Sequence, residues 1–170
     1  YKERNLEAAE KNYGEVLKIN PADPEAKENL AAIYILKNDY PKAAEYLLEV
    51  IASSPEDDIV LENAYFNLGI AYLRMKKMKE ALESFEAALA IEPWDMAAYV
   101  NAAIIAEEIG NKEKAIKYWQ KYDRLLPINK RKGEIKEKLK KLGANEAPQQ
   151  KPDQKRQQQA PTAPAGEQKK

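Results

Sequence analysis

Four prolines set the frame of this chain. Pro21, Pro55, Pro93 and Pro127 punctuate amphipathic stretches, "VLKINP", "VIASSP", "ALAIEP" and "RLLPIN", at separations of 34, 38 and 34 residues. A period of 34, lengthened once by four residues or about one helical turn, marks a stacked helix pair. Other positions keep the same register. Twelve residues before the prolines stand Ala9, Ala43, Ala81 and Ala115; eight before stand Tyr13, Leu47, Phe85 and Trp119; five before stand Val16, Val50, Ala88 and Tyr122. In the first helix of each pair, Leu30-Ala31 with Tyr34, Leu68-Gly69 with Tyr72, and Ala102-Ala103 with Ala106 coincide once an insertion around "DDIV" (57–60) is allowed.

This pattern resembles that of the tetratricopeptide repeat family, matched best by Tyr65, Leu68, Gly69, Tyr72, Ala81, Phe85, Ala88 and Pro93. The resemblance covers residues 1 to about 142. It implies an all-α fold, a right-handed superhelix of stacked antiparallel helix hairpins, with a C-terminal capping helix and a disordered tail. Alanine, Leu, Glu and Lys dominate the first 142 residues, which favours the same all-helical reading from composition.

The expected organisation starts with the second helix of a truncated repeat (1–23). Three repeats follow, at 24–57, 58–95 with the insertion, and 96–129. Their helices are expected near 24–37 and 41–53, 59–76 and 78–91, and 95–109 and 112–125. A helix at 130–142, with Ile135, Leu139 and Leu142 on one stripe and Lys around the rest, would cap the stack. From Gly143 onward no Leu, Ile, Val or aromatic residue occurs, so 143–170 is expected to be disordered. Tyr1 falls inside the missing half of a hairpin, leaving Leu6, Ala9, Tyr13 and Val16 in need of cover from upstream repeats or from another chain.

Gly69 interrupts the most regular helix, at a cost of about 1 kcal/mol relative to Ala. The repeat explains it: small residues stand where paired helices approach most closely, here Gly69 and Ala81, while Tyr72 and Phe85 are expected to fill the space between hairpins.

The residue inventory restricts the chemistry. The chain has no Cys and no His, which excludes disulfides, Cys/His metal sites and any base or triad that uses imidazole. Carboxylates such as Asp57, Asp58, Glu107 and Glu108 are those of a solvated helical surface, with no Gly-rich phosphate loop beside them, and "PEDD" (55–58) fits no calcium loop. No enzyme, cofactor or metal is expected. Residues 1–127 carry 16 Lys/Arg against 23 Asp/Glu, and residues 128–170 carry 12 against 5, so an acidic body bears a basic end. The acidic body disfavours nucleic acid. No apolar run approaches the roughly 20 residues that span a bilayer, which favours a soluble protein, and the Gln/Pro/Lys tail resembles those of bacterial repeat proteins.

The resemblance also implies a concave face lined by the first helices. Asn29, Asn67 and Asn101 precede the Leu-Gly-like pairs and would form a ladder of amides able to hydrogen-bond the backbone of an extended peptide. Asn63, Phe66, Ile70, Arg74, Val100 and Ile104 share that face. Phe66, Ile70, Val100 and Ile104 are expected to stand outside the hairpin packing as an apolar patch. The family's carboxylate clamp for chaperone peptides matches here only at Asn67. Its cations would fall at Glu28, Ala97 and Asn101 and its other asparagine at Ala32, so the clamp is not assembled. The expected role is a protein-interaction module gripping a partner peptide or helix. The alternatives are self-assembly through the open face of residues 6–16 and tethering of the basic end to an anionic surface.

Overall fold

The computed structural model describes residues 2–53, 56–127, 129 and 133–144; the tail expected to be disordered lies, from residue 145 on, outside the described residues. The described residues form α1 (Lys2–Ile19), α2 (Pro24–Leu36), α3 (Tyr40–Ser53), α4 (Asp58–Arg74), α5 (Met78–Ile91), α6 (Met96–Glu108), α7 (Lys112–Leu125) and α8 (Gly133–Lys141). Each helix packs on the next in sequence, and α2 also touches α4. Links this short force neighbouring helices antiparallel, so the turns alternate between two edges of one layered stack.

Turn chemistry defines each edge. Between hairpins, Asp23, Asp57 and Asp95 accept hydrogen bonds from the first backbone N–H groups of α2, α4 and α6. Within hairpins, one motif recurs three times. Asn38, Lys76 and Gly110 take the left-handed conformation at φ 62°, 60° and 76°. The following N–H groups of Asp39, Lys77 and Asn111 donate back to the carbonyls of Tyr34, Tyr72 and Ala106 at 2.8, 2.9 and 2.8 Å. This double-bonded stop closes each first helix. It also explains why α4 ends at Arg74 rather than at residue 76: Met75 and Lys76 belong to the turn.

The insertion is helix, not loop. α4 has 17 residues against 13 in α2 and α6, and the extra four stand at its start, adding one turn with Ile59 exposed on it.

Two buried clusters run through the stack. One joins α2, α3 and α4 around Leu30, Tyr34, Leu47 and Leu68; the other joins α5, α6 and α7 around Phe85, Ile105 and Trp119, and Tyr72 packs against both. Tyr34 ties the front together. Its ring stacks on Tyr46 at 5.7 Å, Lys42 lies 4.2 Å from its centroid, and its hydroxyl donates to Glu10 of α1 at 2.6 Å. Tyr13 and Leu17 of α1 pack against the same cluster, and Val16 is 39% exposed. The face expected to be open is therefore engaged in part, through Tyr13 and Leu17 against the cluster and through the contact of α1 with α2.

At the other end, Ile135, Leu139 and Leu142 pack against the second cluster, as the stripe on α8 predicts. Glu107 locks the helix down, accepting from Trp119 Nε1 and from Lys138 Nζ, the latter at 2.9 Å, while Lys138 sits 4.4 Å from the Trp119 ring centroid. Glu107, read from the sequence as part of a solvated helical surface, is instead a docking point for α8.

Gly69 confirms the close approach but changes its partner. A Cβ there would lie 2.9 Å from three ring carbons of Phe85, which is fully buried. Phe85 thus fills the inside of its own α4–α5 hairpin at this point, not the gap between hairpins, because only a residue without Cβ lets the ring settle onto α4.

Candidate functional site

The candidate groove is built by α2, α4 and α6. The direct contact of α2 with α4 sets those two first helices side by side, and the repeat gives α6 the equivalent position in the next hairpin. Along each, residues three or four apart share a face, which aligns Asn29 with Ala32, Asn63 with Phe66, Asn67, Ile70 and Arg74, and Val100 and Asn101 with Ile104.

The amide ladder is orderly. Asn29 Nδ2 donates to the Glu25 carbonyl at 2.8 Å, and Asn101 Nδ2 donates to the Ala97 carbonyl at 3.0 Å. Both bonds reach one turn back along the helix and fix the amide plane, leaving one N–H and the carbonyl oxygen of each side chain for a ligand. Asn67, in the middle, makes no side-chain hydrogen bond among the described residues. All three are half-buried.

The apolar positions divide. Phe66, Ile70 and Val100 are half-buried and pack against the core, with Phe66 edge-on to Phe85 at 5.5 Å and an interplanar angle of 75°. The expectation that these three stand outside the packing does not hold: they are partly buried against the core, and only their outer edges remain for the candidate groove. Ile104 is the exposed member, at 45%. Asn63 and Arg74 are exposed, and Arg74 forms no ion pair among the described residues.

Electrostatics distinguish the two ends of the groove. Partial burial raises the carboxyl of Glu28, helped by the nearby charges of Asp57 and Glu25, and one of its oxygens is buried without a partner. Partial burial likewise raises Glu62, helped by Asp95 and Glu92. The junctions between hairpins are thus crowded with negative charge, while Arg74 marks the opposite end. No group of three or more potential metal ligands occurs among the described residues, and no described helix is long and apolar enough to cross a membrane.

Sequence reasoning missed two features. The bond from Glu107 to α8 needed knowledge of where 130–142 docks, and nothing in the pattern signals it. Exposed Trp94 was visible in "IEPWDMAA", but no repeat position asks for it.

Comparison with known proteins agrees with this architecture. Two family models described as tetratricopeptide repeat match residues 1–64 and 62–95. The chain is 34% identical over 92 residues to the Hsp70-Hsp90 organising protein of Plasmodium falciparum (isolate 3D7), covering 52% of this chain and 16% of that protein. It is 28% identical over 134 residues to protein O-mannosyl-transferase TMTC1 of Mus musculus, covering 79% and 14%. It therefore spans less than a fifth of either relative. Among solved structures, MamA from Desulfovibrio magneticus RS-1 superposes with a TM-score of 0.68 at 24% identity, covering 81% of this chain and 74% of that one. The repeat register, the stacked hairpins and these matches lead to one conclusion: the chain belongs to the tetratricopeptide repeat family, whose repeats are protein-interaction modules.

Proposed function

We propose that the chain is a non-catalytic adaptor or scaffold whose groove holds an extended segment of a partner protein. Asn29, Asn67 and Asn101 would bond the partner's backbone, and Ile104, with the outer edges of Phe66, Ile70 and Val100, would take its apolar side chains. The observation that carries this reading is the ladder itself: Asn29 and Asn101 are pinned by the same bond at one-repeat intervals, with Asn67 unengaged between them. Rungs fixed in advance lower the entropic cost of binding.

The relative named as an Hsp70-Hsp90 organising protein does not extend that role to this chain. A clamp for a terminal carboxylate needs cations at Glu28, Ala97 and Asn101, and the charge at Glu28 is of the wrong sign. A photo-crosslinking residue at position 104 tests the proposal against one at exposed Leu48 on α3. Adducts with the partner should form at 104 and not at 48; adducts only at 48 would move the site to the outer surface.

A further inference from the structure

Alternating turns give the stack two edges of opposite charge. On the edge between hairpins, residues 19–26, 56–63 and 91–97 contain no Lys or Arg and carry Asp23, Glu25, Glu56, Asp57, Asp58, Glu62, Glu92 and Asp95. The edge within hairpins carries Arg74, Lys76, Lys77, Lys79 and Lys112, none of them in an ion pair among the described residues, against the carboxylates of Asp39, Glu80, Glu108 and Glu113.

Each edge also bears exposed apolar side chains. On the acidic edge these are Ile19, Ile59 and Trp94, of which Trp94, 51% exposed at the head of α6, is the largest and the only aromatic ring. Its loop is held firm: the Trp94 N–H donates to Glu92 Oε1 at 3.0 Å, and Asp95 accepts from the Ala97 N–H at 2.7 Å. The ring meets no other aromatic ring among the described residues. On the basic edge, a shallow depression of about 540 Å³ opens between the α4–α5 and α6–α7 turns, lined by Lys79, Ile109, Gly110, Asn111, Lys112 and Glu113. Ile109, 38% exposed, supplies its apolar surface.

We propose that the depression receives Trp94 of a second copy of this chain. The aromatic ring would cover Ile109 while Glu92 and Asp95, flanking Trp94, meet Lys79 and Lys112. Knob and socket lie at opposite ends of α6, whose 13 residues set them about 20 Å apart, so they cannot meet within one chain. Because knob and socket sit on opposite edges, a two-fold pair cannot fill both sockets at once, so the contact is head-to-tail and repetition gives a row or ring of copies rather than a closed dimer. Its charged rim makes it sensitive to salt. This inference is independent of what occupies the groove.

The test uses sedimentation velocity over a concentration series at about 20 mM and about 500 mM salt. The parent should grow past dimer mass with concentration at low salt and dissociate at high salt. Trp94→Ala removes only the knob, and Lys79→Glu/Lys112→Glu only the socket; both replace exposed side chains, and acidic residues are tolerated in the first turns of α5 and α7. Each variant alone should remain monomeric. Their equimolar mixture should form dimers that grow no further, since one supplies the socket and the other the knob. A parent monomeric throughout, a variant that assembles like the parent, or an inert mixture would overturn the proposal. So would a monomeric parent whose binding to phosphatidylserine vesicles is lost in Lys79→Glu/Lys112→Glu, which would give the basic edge to a membrane surface.

Discussion

Phe85 lies against the bare backbone of Gly69, with three of its ring carbons 2.9 Å from where a Cβ would stand. Gly69→Ala should therefore destabilise the protein although Ala is the better helix former. Overpacking costs about 1–3 kcal/mol and the gain in helix propensity returns at most about 1 kcal/mol. Urea unfolding should show a lower midpoint for Gly69→Ala, partly restored by adding Phe85→Leu, because the smaller side chain vacates the clash. Equal stability of Gly69→Ala and parent would contradict the packing described.

Lys76 occupies the left-handed position that Gly110 fills in the next hairpin. A side chain there costs about 1–2 kcal/mol, partly offset by the extra chain entropy that Gly loses on folding. Lys76→Gly should raise stability by roughly 0.5–1 kcal/mol, whereas Gly110→Ala should lower it. Thermal unfolding of both variants checks the sign.

Glu107 joins α6, α7 and α8 through Trp119 and Lys138. Glu107→Ala removes acceptors worth about 1 kcal/mol each in net terms. The loss should be local, with faster amide hydrogen exchange in residues 135–142 and little change in α2–α4.

The junction carboxylates give the protein a pH signature. Glu28 and Glu62 are raised above the ordinary carboxylate value of 4.5, so the folded state holds their protons more tightly than the unfolded state. Their contribution to stability is full below that value and is lost as pH rises through the raised folded values. Glu28→Gln should therefore increase the melting temperature at neutral pH and leave it nearly unchanged near pH 4. A benefit confined to acid would reverse the assignment.

Much of the fold was legible because the repeat fixes both period and depth. Ala43, Ala81 and Ala115 recur where the structure buries them completely, and Pro with Asp marks the helix starts. The stops were harder to read. Gly110 announces its turn, but Asn38 and Lys76 reach the same geometry through backbone bonds that residue type hardly encodes. In the candidate groove, the asparagines stand one each on α2, α4 and α6, the helices the repeat register assigns them. Helical spacing did not show that Phe66 leans inward on Phe85, because a side chain at the boundary between core and groove satisfies both patterns. That contact makes Phe66 a poor probe of binding, since truncating it disturbs the core; Ile104 is the cleaner choice.

The central claim is that the groove holds a partner, and a pulldown from source cell extract with the full chain tests it most directly, run beside an Asn67→Ala/Ile104→Glu variant of matched helicity. The account predicts a protein retained by the parent and lost by the variant, whose crosslinks map to α2, α4 and α6. Recovery of the same proteins by both, in equal amounts, would contradict it.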